Sequence, residues 1–359
     1  MKKYRKVSFT LFLILFGCTP SPKILEDIQL IQSVGYDYKS EKEIIGSAGA
    51  AYIPPGEDAQ PRNLVFTTVG KTGKQIRQQI QALSAKPIEI GRVGVVIFNE
   101  EVASKGIFPL IDNFQRDSSI GRNILLAVSV GSAADILKTN YIESDTVSQY
   151  IIDVVDQNME RTIPDMNFHH FLFQYYTPGF DPFMPLVTKK ENKLEVLGIA
   201  LFEDDKYVGM VPLEKSYIFK LLYEDTQKGH FEMEGEEEDG YISMQNLYTH
   251  TDYEVRKSNE GYEVNFRIKI KGRIAESGGL DLSKEKNIKK VEKKASEEIT
   301  QKAYSLMEQF KELNVDPLGL GEKARQKGIF DENTWKEHYP DLKVDIQTEV
   351  HVIQAGIIE

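Results

Sequence analysis

Cysteine is the scarcest reactive residue in this chain of 359 residues, with Cys18 as its single copy. One cysteine excludes a disulfide within the chain and a metal site built from several thiolates. Histidine is also scarce, with six copies, and the adjacent His169 and His170 would diverge on either a strand or a helix. The sequence also lacks HExxH, GxSxG, Walker and GxGxxG motifs. It therefore predicts no metal, no cofactor and no enzymatic centre.

Positive charge and long apolar runs are in short supply too. Lysine and arginine number 44 against 55 acids, for a net charge of −11, and removal of residues 1–17 takes away four more cations and no acids. This acidity disfavours binding to nucleic acid and a polybasic grip on anionic lipid. The one marked apolar run, residues 7–16, is too short for the roughly 20 residues of a membrane-spanning helix.

The surroundings of Cys18 indicate an export signal. A basic start is followed by the apolar run and by the small residue Gly17, as in a signal peptide. Residues 15–18, LFGC, resemble a bacterial lipobox, with a bulkier residue than usual at Phe16. The resemblance implies cleavage after Gly17 and acylation of Cys18. An ordinary signal peptide whose cysteine is incidental remains the alternative.

Strand and helix patterns alternate through the first half. Residues 93–101, VGVVIFNEE, form a near-continuous run of the kind found in a strand buried on both faces. Helices are predicted from Ile76, Ile80 and Leu83, from Ile107, Leu110, Ile111 and Phe114, and after a cap at Ser144 or Asp145. The alternation predicts helices packed on a central sheet.

The second half of the chain has a different predicted order of strands and helices. A hairpin is predicted around residues 204–206, and the acidic run 232–239 fits a solvated hairpin turn better than a calcium loop. An apolar stripe from Ile288 to Leu313 predicts a helix of roughly 30 residues, and the alternating residues 343–352 predict a closing strand. The expected fold is mixed α/β (α+β), with three domains, mixed sheets with packed helices, and the long C-terminal helix across an antiparallel sheet.

Several segments together resemble a known family. They are GRVGVVIFNEE with KGIFPLIDNFQRD, then ALFEDDKYVGMV, and the C-terminal DPLGLG, Trp335, Tyr339-Pro340 and Gly356. These segments resemble segments of the Ger(x)C lipoproteins, the C subunits of bacterial spore germinant receptors, and they occur in the same order along the chain. Members often continue after the lipidated cysteine with Trp-Asp and a basic residue, where this chain has Thr19-Pro20-Ser21.

The resemblance implies a non-catalytic, lipid-anchored subunit on the outer face of the spore inner membrane. Its partners would be the membrane-spanning A and B subunits, and its role would lie in germination triggered by nutrients. Possible partner contacts are Arg92, Arg116, Asp117 and Arg122, although a salt-bridged loop is the favoured interpretation of the last three together with Asp112. Core packing is the simpler role for residues 93–98.

The expected domains are a signal peptide (1–17), a tether (18–23), an N-terminal α/β domain (24–190), a middle domain (191–280) and a C-terminal domain (281–359). A solute-binding lipoprotein that captures a small nutrient is the alternative function. Such proteins usually have two doubly wound lobes around a cleft, and the second half of this chain predicts no second lobe.

Overall fold

The computed structural model describes residues 27–52, 62–141, 146–235, 240–259 and 261–355. Cys18 and Gly17, the signal peptide and the tether lie outside these residues, as do Ser144, Asp145 and Gly356. None of the helices in the described part is long and apolar enough to cross a membrane.

Nine strands form the first sheet: β1 (Gln29–Ser40), β2 (Glu43–Tyr52), β3 (Arg62–Gly70), β4 (Ile88–Glu89), β5 (Val95–Asn99), β6 (Leu125–Val130), β7 (Phe183–Lys190), β8 (Lys193–Glu203) and β9 (Lys206–Pro212). Their order is β3-β2-β1-β5-β6-β7-β8-β9, with β4 beside the start of β1. The central strands β1, β5, β6 and β7 run parallel, and antiparallel strands extend both edges. Residues 95–98 are fully buried, which confirms the strand covered on both faces.

Seven helices accompany this sheet: α1 (Gly73–Leu83), α2 (Glu100–Lys105), α3 (Phe108–Arg116), α4 (Ala133–Lys138), α5 (Val147–Arg161), α6 (Phe168–Tyr176) and α7 (Leu213–Tyr223). The predicted inward face of α3 is confirmed, since Leu110, Ile111 and Phe114 are buried, as is Ile107 just before the helix.

Two sequence expectations about these helices are wrong in detail. Leu83 was expected to face the core with Ile76 and Ile80, but it is 59% exposed. It is the last residue of α1, where the helix no longer covers the sheet. Helix α5 is capped by Thr146, not by Ser144 or Asp145, because the Thr146 hydroxyl accepts the Gln149 N–H at 3.2 Å.

The second sheet contains β10 (His230–Glu234), β11 (Tyr241–Ser258), β12 (Gly261–Ser277) and β13 (Lys343–Ala355), in that order. The helices α8 (Glu285–Leu313), α9 (Leu320–Gln326) and α10 (Glu332–His338) lie between β12 and β13 in the chain. The sheet is mixed rather than wholly antiparallel, because β13 pairs parallel to β12. A chain that leaves one strand, forms a helix across the sheet and returns in the next position arrives parallel to the strand that it left.

Helix α8 covers the free edge of β13. Of the predicted stripe from Ile288 to Leu313, the part from Val291 to Phe310 is buried, and the two end residues are half-buried. Three of its side chains also accept backbone N–H groups of β13: the Tyr304 hydroxyl from Ile346 at 3.0 Å, Ser296 Oγ from Val350 at 3.1 Å, and Glu292 Oε1 from Val352 at 2.8 Å. These bonds satisfy the donors that an edge strand would otherwise expose.

The first sheet continues across the expected domain boundary at residue 190. Strands β7 and β8 pair antiparallel from Phe183 opposite Leu201 to Lys190 opposite Lys193. Helix α7 then connects the two halves, since Phe219 packs edge-to-face on Phe310 of α8 with ring centroids 5.4 Å apart. The three-domain division stays a prediction.

Candidate functional site at the joint between the sheets

The four predicted partner-contact residues lie near one end of the parallel strands. The turn holding Arg92 precedes β5, and the loop holding Asp117 and Arg122 precedes β6. A Cβ added to Gly91 would lie 3.2 Å from the Ser119 carbonyl oxygen, so the turn and the loop are in contact. Parallel neighbours start at the same edge of a sheet, which explains why the fold brings the two segments together.

Two of these four residues are held by internal ion pairs. Arg116 Nε lies 2.7 Å from Asp112 Oδ2, and Asp117 Oδ2 lies 3.2 Å from the Arg77 guanidinium. Asp117 also accepts the Ser119 hydroxyl at 2.6 Å, and this bond, together with the N–H of Ser119 and with Arg77, holds its pKa below the ordinary value. Arg92 and Arg122 are exposed, and neither side chain bonds to another residue in the described part of the chain.

A second candidate site is the joint, defined here as the contact between residues 177–181, which precede β7, and residues 314–321, which follow α8 and include the first two residues of α9. Gly179 and Gly321 meet there backbone to backbone, and a Cβ on Gly321 would lie 2.7 Å from the Gly179 Cα. The Glu322 N–H donates to the Gly179 carbonyl at 3.1 Å. Only glycine permits this approach, and Gly179 has a φ of +77°.

Two aspartates hold the joint together. The Asp181 N–H donates to the Asp316 carbonyl at 3.0 Å, and the Asp316 N–H donates to Asp181 Oδ2 at 2.7 Å. The Asp316 carboxyl accepts the N–H groups of Leu320 at 3.0 Å and of Gly321 at 2.7 Å, which begin α9. Each segment therefore fixes the backbone of the other.

Both carboxyl groups have raised pKa values. Burial raises the pKa of Asp316 to about 8, against the lowering effect of the backbone N–H groups of residues 319–321, and the nearby Asp181 carboxylate adds to the rise. Burial raises the pKa of Asp181 to about 6. Loss of water penalises a carboxylate more than a neutral carboxyl, so the joint favours the protonated forms.

The joint encloses a cavity of about 150 Å³. Among its lining residues are Trp335, which is 3% exposed, and Tyr339, which is 2% exposed. Within the described residues neither the Trp335 indole N–H nor the Tyr339 hydroxyl has a hydrogen-bond partner. Buried donors of this kind are normally satisfied, so the cavity suits water or a small polar group.

Sequence reasoning missed this pairing of aspartates. The one available signal was that both precede proline, in Asp181-Pro182 and Asp316-Pro317. Proline keeps the preceding residue out of the helical region, which marks both as ends of loops. Nothing in the sequence indicated that two residues 135 positions apart would meet.

The architecture places the chain in a known structural class. It superposes on the crystal structure of the GerBC protein with a TM-score of 0.60 and 13% identity, covering 89% of this chain and 96% of that one. At this level of identity the likeness concerns the fold: a mixed α+β protein built on two mixed sheets.

Sequence comparison narrows the class to a family. Residues 21–189 match the spore germination protein N-terminal domain, and residues 197–356 match the spore germination B3/GerAC-like C-terminal domain. The chain is 31% identical to spore germination protein GerQC of Bacillus cereus, over 97% of this chain and 99% of that protein. It is 20% identical to spore germination protein KC of Bacillus subtilis strain 168, over 96% of this chain and 93% of that one. The chain belongs to the GerAC family of spore germination proteins, the germinant receptor C subunits.

Proposed function

We propose that this protein is the lipid-anchored, non-catalytic C subunit of a nutrient germinant receptor. It is held on the outer face of the spore inner membrane by acylation of Cys18 after cleavage at Gly17, and it assembles with two membrane-spanning subunits, A and B. The observation that carries this proposal is the match to the family over nearly the whole chain, at 31% identity with GerQC.

The anchor is tested by labelling with radioactive palmitate. Cys18 is the only thiol in the chain, so Cys18→Ala removes the acylation site completely. We expect label in the wild type and in Ser21→Ala, a matched change beside the site, and none in Cys18→Ala, which moves to the soluble fraction. The anchor would be refuted if the wild type takes up no label and Cys18→Ala stays with the membranes as strongly as the wild type does.

Assembly with A and B is tested through Arg92 and Arg122, whose side chains bond to none of the described residues. Arg92→Glu with Arg122→Glu reverses two exposed charges without breaking an ion pair within the described part of the chain. If this edge of the sheet meets the other subunits, the double variant recovers less A and B subunit on purification from spores. Arg267→Glu, an exposed arginine on the second sheet, is the control. Equal recovery with both variants would remove this edge as a contact.

A further inference from the structure

A second cavity lies between the first sheet and helices α1 and α3, away from the joint. It has a volume of about 240 Å³ and is called the α1 cavity here. Its lining is mainly aliphatic and aromatic, from Ile31, Val34, Ala48, Ile76, Ile80, Ile88, Ile90 and Phe114. A cavity of 150 Å³ with such walls takes up benzene, so by proportion this one holds roughly ten non-hydrogen atoms.

One end of the α1 cavity is polar. Tyr36 lines it and is only 4% exposed, yet its hydroxyl makes no hydrogen bond to any described residue. Burial raises the pKa of Tyr36, so the hydroxyl stays neutral and can donate. Although the residue is buried as a whole, its hydroxyl oxygen keeps some accessible surface at the cavity wall, so it can donate to an acceptor placed there.

The residues around this hydroxyl belong to the start of α1 and the middle of α3. The hydroxyl lies 3.5 Å from the position that a Cβ on Gly73 would occupy, and Asn113 Nδ2 lies 3.0 Å from the same point. Gly73 therefore leaves room where two donors converge. Because Gly73 opens α1, the positive end of the helix dipole is at the same place.

Lys74 and Arg77 give the polar end its charge. Both line the α1 cavity and are exposed at its rim. Arg77 is paired with Asp117 at 3.2 Å, whereas Lys74 makes no ion pair or hydrogen bond with the described residues. One uncompensated positive charge thus stands at the rim of the α1 cavity in an otherwise acidic protein.

We infer that the α1 cavity binds a small monocarboxylate of about ten non-hydrogen atoms with an apolar body. The carboxylate accepts from the Tyr36 hydroxyl and the Lys74 ammonium, and the hydrocarbon body fills the space between the isoleucines. Apolar pockets with a few converging polar groups are the usual form of small-molecule sites. This assignment is independent of the lipid anchor and of the other subunits.

The test is calorimetric titration of the full chain in lipid nanodiscs with 3-phenylpropionate, with 3-phenylpropan-1-ol as the uncharged counterpart. Because a hydrogen bond to a charged group is stronger than a neutral one, we expect the acid to bind about tenfold or more tightly than the alcohol. Tyr36→Phe keeps the ring stacked on Phe98 and Lys74→Gln keeps the length of the chain, and each should weaken binding of the acid by about tenfold.

Two further variants make the result decisive. Ala48→Leu fills the cavity and should abolish binding while the thermal unfolding midpoint shows that the protein is folded. Lys71→Gln, an exposed lysine just before α1 that does not line the cavity, should bind as the wild type does. Absence of binding to the wild type, equal affinity for acid and alcohol, or unchanged binding by Ala48→Leu would each overturn the assignment.

Discussion

At the scale of single residues, Asp181 and Asp316 carry two carboxyl groups that are shielded from water and lie close together. Because their pKa values are raised from 3.8 to about 6 and about 8, the folded state holds protons that the unfolded state releases. The stability gained in this way is complete below about pH 4 and is lost as pH rises through the folded pKa values. The free energy of unfolding therefore falls with rising pH, by at most about 1.4 kcal/mol per pH unit for each proton.

Asp181→Asn tests this pH dependence. The amide keeps an oxygen for the Asp316 N–H but cannot titrate, so the stability advantage of the wild type over the variant should shrink from pH 4 to pH 6. Urea unfolding across pH 4 to 8 measures this difference in the free energy of unfolding. The control is Asp341→Asn, which removes an exposed carboxyl outside the joint. A constant difference between wild type and Asp181→Asn would contradict the raised pKa.

Gly321 gives a second prediction at this scale. A Cβ there would meet the Gly179 Cα at 2.7 Å and Trp335 Nε1 at 2.8 Å, and the Gly179 backbone has little freedom to retreat. Gly321→Ala should lower the free energy of unfolding by about 2–3 kcal/mol. Gly121→Ala, where a Cβ meets nothing within 4 Å, should change it by less than about 0.5 kcal/mol. Similar unfolding midpoints in urea for the two variants would show that the joint is not closely packed.

Residue-level prediction from sequence succeeded where the cause is local. The buried face of α3 follows from residue spacing, and so does most of the stripe on α8. The prediction that Leu83 is buried was wrong because its exposure depends on where α1 leaves the sheet. The joint and the Tyr36 hydroxyl were not predicted, because both depend on contacts between segments distant in the chain.

At the scale of elements, the association of α8 with β13 shows how a sheet edge is protected. Ser296 and Glu292 accept the N–H groups of Val350 and Val352, on the side of β13 where the described residues form no further strand. The spacing of apolar residues along the sequence predicted both α8 and β13. The parallel direction of β13 was not foreseen, because alternation along a strand is the same whichever way its neighbour runs.

Ser296→Ala tests this edge protection. Loss of the acceptor leaves the Val350 N–H without its bond, which should cost about 1–2 kcal/mol and speed amide exchange in β13. Hydrogen exchange followed by mass spectrometry measures the effect. Ser305→Ala, on the exposed side of the same helix, should leave β13 unchanged. Equal exchange in the two variants would mean that the Ser296 bond contributes nothing.

At the scale of the whole molecule, the first sheet determines how the chain can be divided. Phe183 on β7 is 1% exposed and packs against Phe219 and Tyr223 of α7, with ring centroids 4.9 Å away in both cases. A fragment ending at residue 190 lacks both α7 and β8, so β7 keeps β6 on one side but loses its second partner strand and the helix that covers Phe183. The N-terminal family domain ends at residue 189, close to the expected boundary at residue 190. That boundary in sequence does not imply that residues before it fold independently.

This gives a prediction about fragments. Residues 24–223, which include β8, β9 and α7, should fold with a cooperative thermal transition, whereas residues 24–190 should not. Circular dichroism and amide NMR dispersion distinguish the two outcomes. A cooperative transition in the shorter fragment would show that β8 and α7 are dispensable for the first sheet.

The place of β1 in the first sheet has a mechanical consequence. The first described strand is central, bonded to β2 along one side and to β5 along the other. Tension that reaches the fold from the N-terminal side pulls along β1, across hydrogen bonds that run nearly perpendicular to that direction. Such a load shears two rows of bonds at once instead of peeling them one after another. The strand nearest the start of the fold is therefore among those best able to resist being drawn out.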